Sequence, residues 1–101
     1  MFSNMSAKLL FHERHQLETT LFVEMKVWRV PTPVRGSSHD FRYSLALVSK
    51  GECALRFDNE AGKGDHFHIG ELERSYRFIS AERLLADFWR QVDEWRQSCA
   101  K

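Results

Sequence analysis

The chain has 101 residues, of which 43% are apolar and 13% aromatic, and a formal net charge of +1. That length makes one domain with one modest core, and that composition is globular rather than disordered. No apolar run approaches the roughly 20 residues of a bilayer span, and so small a charge leaves any nucleic-acid binding to a local patch. Met1 to Leu10 carries one lysine and no long apolar region, so it does not read as a secretory signal, whether the chain starts at Met1 or at Met5. Cys53 and Cys99 lie far apart without metal-ligand spacing, which fits a reduced, cytoplasmic chain.

Met1 to Ser6 reads as a loose end and Ala7 to Arg14 as a short strand with weak alternation. Gln16 to Thr20 reads as a turn. Leu21 to Val30 is a clear strand, with Leu21, Val23, Met25 and Val27 on one face and Glu24, Lys26 and Trp28 on the other. Pro31 and Pro33 stop it, since proline cannot donate to a sheet ladder. A polar loop with Gly36, Ser37, Ser38 and His39 leads to Asp40. Phe41 to Ser49 is the next strand, with Tyr43, Leu45 and Leu47 opposed to Arg42, Ser44 and Ala46. Lys50-Gly51 turns the chain. Cys53, Leu55 and Phe57 then alternate with Ala54, Arg56 and Asp58.

After a loop holding Gly62 and Gly64, Asp65 to Ile69 resumes as a strand, Phe67 and Ile69 inward, His66 and His68 outward. Gly70 to Arg74 reads as a turn and Ser75 to Ile79 as a last short strand. Ser80 is placed to cap a helix running to about Ser98, with Glu82 in its first turn. Leu84, Leu85, Phe88, Val92 and Trp95 form its apolar stripe, which Trp89 widens; Arg83, Asp87, Arg90, Asp93 and Glu94 take the wet side. Hairpin-like links imply an α+β fold: an antiparallel sheet of about five strands with one C-terminal helix packed on one face. The other face is left open and carries the polar residues.

The chemistry concentrates between Asp58 and His68, where two glycines, a lysine, two aspartates and two histidines fall within one expected hairpin loop and its flanks. A symmetric hairpin sets Asp58 opposite His66 and Arg56 opposite His68, with Cβ atoms about 4.5–5.5 Å apart. A carboxylate beside an imidazole selects its tautomer. Two such imidazoles can bracket a phosphodiester, one taking a proton and one giving it. Lys63 and Arg56 can neutralise developing charge, and backbone N–H groups around Gly62 and Gly64 can grip a phosphate oxygen. Asp65 adds a further carboxylate, aimed at His68 or capping the loop. Lys26, Trp28 and Arg42 share the open face and extend a basic, stacking surface for single-stranded RNA.

The set suits metal-independent RNA cleavage, in which a neighbouring 2′-hydroxyl attacks phosphorus, and no cofactor or metal is expected. His66-x-His68 on an exposed strand is most often just a solvated pair; it also suits part of a zinc site, although spacing supplies no third ligand. His12, His15 and His39 join no constellation and read as surface residues.

The segments Lys8 to His12, Val27 to Pro31, Phe41 to Leu45, Arg56 to Asn59, Gly62 to His68 and Leu84 to Trp89, in this order, resemble the TumE-like family of toxin components from bacterial toxin–antitoxin modules. The likeness runs from about Ala7 to Trp95. Its most specific piece is Lys63-Gly64-Asp65-His66-x-His68, where family members often carry an arginine at the position of Phe67. The resemblance implies a small intracellular toxin inhibited by direct binding of an antitoxin encoded nearby. It implies no settled mechanism; that such toxins commonly attack RNA is analogy. Two other readings stay open: a non-catalytic toxin that blocks a protein or ribosomal target, and a metal-dependent phosphodiesterase. Expected partners are the antitoxin, through an acidic segment on the open face, and RNA, with a second copy of the chain as a further candidate and no membrane.

Overall fold

Alternating apolar residues make the strands, and the turns between them are short enough that each strand lies beside the next. The computed structural model describes residues 7–99, so the loose end expected at Met1 to Ser6 lies outside them. Strands β1 (Lys8–Glu18), β2 (Leu21–Arg29), β3 (Phe41–Ser49), β4 (Glu52–Asp58), β5 (His66–Ile69) and β6 (Leu72–Ser75) precede one helix, α1 (Ala81–Cys99). The six strands form one antiparallel sheet in chain order. The α+β architecture is the expected one, with one strand more.

The core lies between one face of the sheet and α1, which crosses β3 and β4. Leu21, Val23, Met25 and Val27 of β2 are buried there with Tyr43, Leu45 and Leu47 of β3 and Leu55 and Phe57 of β4. Leu84, Phe88 and Val92 of the helix close the layer with no exposed surface; burying such side chains is worth about 1.5–3 kcal/mol each. Ser80 caps α1 as expected: its Oγ accepts the Arg83 N–H at 3.0 Å.

Both edges of the sheet differ from the sequence reading. β1 does not turn at Gln16; it runs to Glu18 and only Thr19 and Thr20 turn. It is an edge strand exposed along most of its length, so its polar side chains show no clean alternation, and bulges at Leu10 and Leu17 interrupt what alternation exists. β6 occupies the stretch read as a turn, because only Gly70 and Glu71 reverse the chain, Gly70 with φ +59°. All four β6 residues are exposed, so no buried face marked it. The strand expected at Ser75 to Ile79 is instead an irregular lead into the helix, with Tyr76 and Phe78 packed against the core. A bulge at Ala54 also pairs Cys53 with Val48, turning Cys53 onto the open face rather than in line with Leu55 and Phe57.

Asp87 is not on the wet side of α1. It is only 7% exposed, because Tyr76 descends on it and donates its O–H to Oδ2 at 2.6 Å. Arg83 Nε donates to Oδ1 at 3.1 Å and Arg90 Nη1 stands 3.1 Å from the same atom. Burial alone would raise the Asp87 carboxyl; the Tyr76 and Arg83 hydrogen bonds and the two arginine charges outweigh it and hold the carboxyl below its usual value. Burial and the Asp87 bond push the Tyr76 hydroxyl up, so the shared proton stays on tyrosine. A depressed carboxyl contributes stability that is present above its unfolded value of about 3.9 and is lost as pH falls through the folded value. In urea unfolding, wild type should therefore exceed Asp87→Asn near neutral pH, and the difference should shrink as pH falls below about 4. A difference independent of pH would mean that the charge of Asp87 contributes nothing.

Candidate functional site

The β4–β5 register sets Asp58 opposite His66 and Arg56 opposite His68, while Phe57 faces Phe67 on the core side. All four polar side chains thus share the open face. Asp58 is held by Arg56, whose Nε donates to Oδ2 at 2.7 Å, while Arg56 Nη2 donates to Ser44 Oγ at 3.1 Å. Asp58 Oδ1 faces His66 Nε2 at 3.4 Å. His66 Nδ1 lies 2.9 Å from the Gly64 carbonyl oxygen. A carbonyl only accepts, so Nδ1 carries a proton, and in the neutral ring Nε2 presents the lone pair. The two imidazoles stand edge to face, 4.9 Å between centroids.

His66 is not bare, as the sequence reading had it; it is 5% exposed. The cause is β6, which adds Glu73 opposite His68. Glu73 Oε2 takes the Lys63 ammonium at 2.8 Å and stands 3.8 Å from His66 Nε2 and 4.0 Å from His68 Nε2. The Lys63 hydrogen bond chiefly, then the charges of Lys63, His68 and His66, hold the Glu73 carboxyl below its usual value against slight desolvation. Sequence reasoning missed Glu73, yet a signal existed. A two-residue turn at Gly70-Glu71 after Ile69 puts Glu73 beside His68 by hairpin register.

Asp65 is the expected site residue that the structure does not bring to the histidines. By alternation it points to the core side, where Ser37 Oγ, His39 Nε2 and Tyr43 Oη each lie 2.7 Å from its carboxylate. His39 Nδ1 accepts the Phe41 N–H at 3.2 Å, which assigns the ring proton to Nε2, aimed at Asp65. His39 is thus no surface residue: its side chain is 14% exposed and its ring stacks on Phe78 at 3.7 Å between centroids. Burial, then the Asp65 bond, push the Tyr43 hydroxyl up. Fully buried Asn59, also missed, accepts the Tyr43 N–H at 3.0 Å and donates to Phe41 O at 2.8 Å. The expected exposure of His12 and His15 is observed.

This network ties the Pro31–Asp40 loop to the loop that carries Lys63. The two meet glycine to glycine. Gly36 has φ +89°, and a Cβ there would collide with the Gly64 amide nitrogen. Gly64 acts on the site through its carbonyl, while Gly62 lies against the Arg35 side chain.

A shallow groove of about 370 Å³ continues from Arg56 and Glu60 across β3 to Ser44, Lys26, Trp28 and Glu24. Arg42 places its guanidinium 4.4 Å over the Trp28 ring. The expected RNA-binding side chains therefore adjoin the histidine cluster through Arg56. Asp58, His66 and His68 also present one ligand atom each within 4.8 Å of one another, the third metal ligand that spacing did not supply.

An antiparallel meander with one helix on its inner face and a two-histidine, two-carboxylate, two-cation cluster on its outer face is a small α+β protein organised around one polar site. The family model described as Toxin TumE matches residues 6–96. The chain belongs to this toxin family, and membership makes it the toxin component of a toxin–antitoxin module with an antitoxin as its partner. Comparison with curated proteins and with solved structures found no match. Among the described residues, no helix is long and apolar enough to cross a membrane.

Removing the Asp65 carboxylate strands three donors, Tyr43 buried and Ser37 and His39 half-buried. Asp65→Ala should lower stability by about 3–5 kcal/mol in urea unfolding. A loss under about 1 kcal/mol would show the network to be dispensable.

Proposed function

We propose that this toxin is an endoribonuclease that cleaves cellular RNA in the cytoplasm by internal transesterification, without a metal. The observation that carries the reading is the Glu73 carboxylate, an anion seated among Lys63, His66 and His68. A phosphodiester presents the same charge and the same acceptor oxygens to the same three groups. The Lys63–Glu73 pair is exposed, and exposed pairs open readily, so an incoming phosphate can take the seat as Glu73 swings out.

In the seat, the 2′-oxygen attacks phosphorus and the bond to the 5′-oxygen breaks. His66 Nε2, with its lone pair free, takes the 2′-hydroxyl proton. His68, nearer solvent, gives a proton to the departing 5′-oxygen. Lys63 and Arg56 stabilise the charge that gathers on phosphorus oxygens. Asp58 holds His66 and Arg56 together, Asp65 fixes the loop from below, and the groove with Lys26 and Trp28 takes the flanking nucleotides. The products are a 2′,3′-cyclic phosphate and a 5′-hydroxyl.

Purified protein with chelator should cut cellular RNA into fragments carrying those ends. His66→Ala and His68→Ala should each slow cleavage by about 10²–10⁴-fold and relieve growth arrest on induction. Arrest with intact RNA would replace this reading by a toxin that blocks a protein or ribosomal target. If Glu73 occupies the phosphate seat, Glu73→Gln should lower KM for an oligoribonucleotide severalfold with kcat little changed; an unchanged KM would place the substrate elsewhere.

A further inference from the structure

The structure assigns Asp58, His66 and His68 a second capacity: together they form a binding site for a divalent transition-metal ion, zinc fitting best. The donor set is two imidazole nitrogens and one carboxylate oxygen. Such a set suits a borderline ion, whereas magnesium and calcium take oxygen ligands. The side chain of His66 is 6% exposed and its one hydrogen bond is from Nδ1 to the Gly64 carbonyl. Nε2 makes no hydrogen bond of its own and faces two carboxylates, Asp58 Oδ1 at 3.4 Å and Glu73 Oε2 at 3.8 Å. A histidine whose Nδ1–H is tied to a backbone carbonyl is oriented as metal-binding histidines are. Asp58 is also oriented: Arg56 holds Oδ2 at 2.7 Å, and Oδ1, which accepts the Glu60 N–H at 3.3 Å, faces His66 with a lone pair to spare.

The spacing agrees. Ligand atoms about 2.0–2.1 Å from a tetrahedral zinc stand roughly 3.3–3.4 Å from one another. His66 Nε2 and Asp58 Oδ1 are already 3.4 Å apart. The His68 side chain, 34% exposed, has room to turn in from the rim. Glu73, within 4.0 Å of both Nε2 atoms, supplies a fourth ligand once it leaves Lys63.

A consequence follows that rests on the ribonuclease reading. The ion takes the two Nε2 lone pairs through which His66 and His68 accept and donate protons. Zinc and catalysis therefore exclude one another, and zinc acts as an inhibitor of this toxin rather than as its cofactor.

The test is calorimetric titration of zinc chloride into the metal-free full chain. One ion per chain should bind, at least tenfold more weakly in His68→Gln and in Asp58→Asn, and unchanged in His12→Gln and His15→Gln. His68→Gln lies at the rim, so its fold is not at stake, and circular dichroism checks this for Asp58→Asn. No zinc uptake by the wild type, or equal uptake by His68→Gln, overturns the site. Saturating zinc should also stop RNA cleavage, and chelator should restore it. Cleavage that continues with zinc bound overturns the exclusion. Failure of the metal-free protein to cleave RNA counts against the ribonuclease reading alone, since the titration decides the site.

Discussion

The stacking of Phe57 against Phe67 on the core side of the β4–β5 hairpin is the contact on which the site depends. The rings lie 4.9 Å apart and nearly parallel, and Phe88 of the helix meets Phe57 edge-on. Side chains alternate along a strand, so pairing these two rings inside forces Asp58 beside His66 and Arg56 beside His68 outside. A slip of one residue would bury the charged row and expose the aromatic one. The hydrophobic core thereby sets the distance between a carboxylate and an imidazole that never touch it.

Around that register the molecule divides into a rigid part and a loose one. Asp65 and His66 are neighbours in sequence, yet they point to opposite faces. Asp65 gathers three donors from the Pro31–Asp40 loop and β3 into a buried network, so the backbone beside His66 is held from the core side. On the open side Lys63, Glu73 and His68 are far more exposed, and Glu73 links the other two to His66. A site with a fixed floor and a yielding lid suits an anion that must enter and leave. It also fits the proposal that one cluster serves protons and a metal ion in turn, since both would use the same two imidazoles.

The family assignment and the geometry bear on different questions. Membership of the TumE toxin family supplies the biological role. The convergence of Asp58, His66, His68, Lys63 and Glu73 supplies the chemistry to be tested, and the groove past Arg56 to Trp28 is the proposed path for an RNA strand.

Much of this was legible in the residues alone. Strict alternation marked β2 and β3, a serine cap and an apolar stripe marked α1, and hairpin symmetry paired Asp58 with His66 before any coordinates. These are local consequences of side-chain period and turn chemistry, which a linear sequence carries. What only the tertiary structure decided are contacts between separate segments: Asp65 and His39 drawn into one network across 26 residues, and Asp87 hidden beneath Tyr76; Glu73 reaches the histidines by a hairpin whose edge strand is exposed. Exposed strands need no apolar alternation, and a buried polar group looks like a surface one until its partner arrives from elsewhere in the chain. For that reason the sheet and the facing pair could be read from the sequence, the lid only through the short Gly70-Glu71 turn, and the floor of the site not at all.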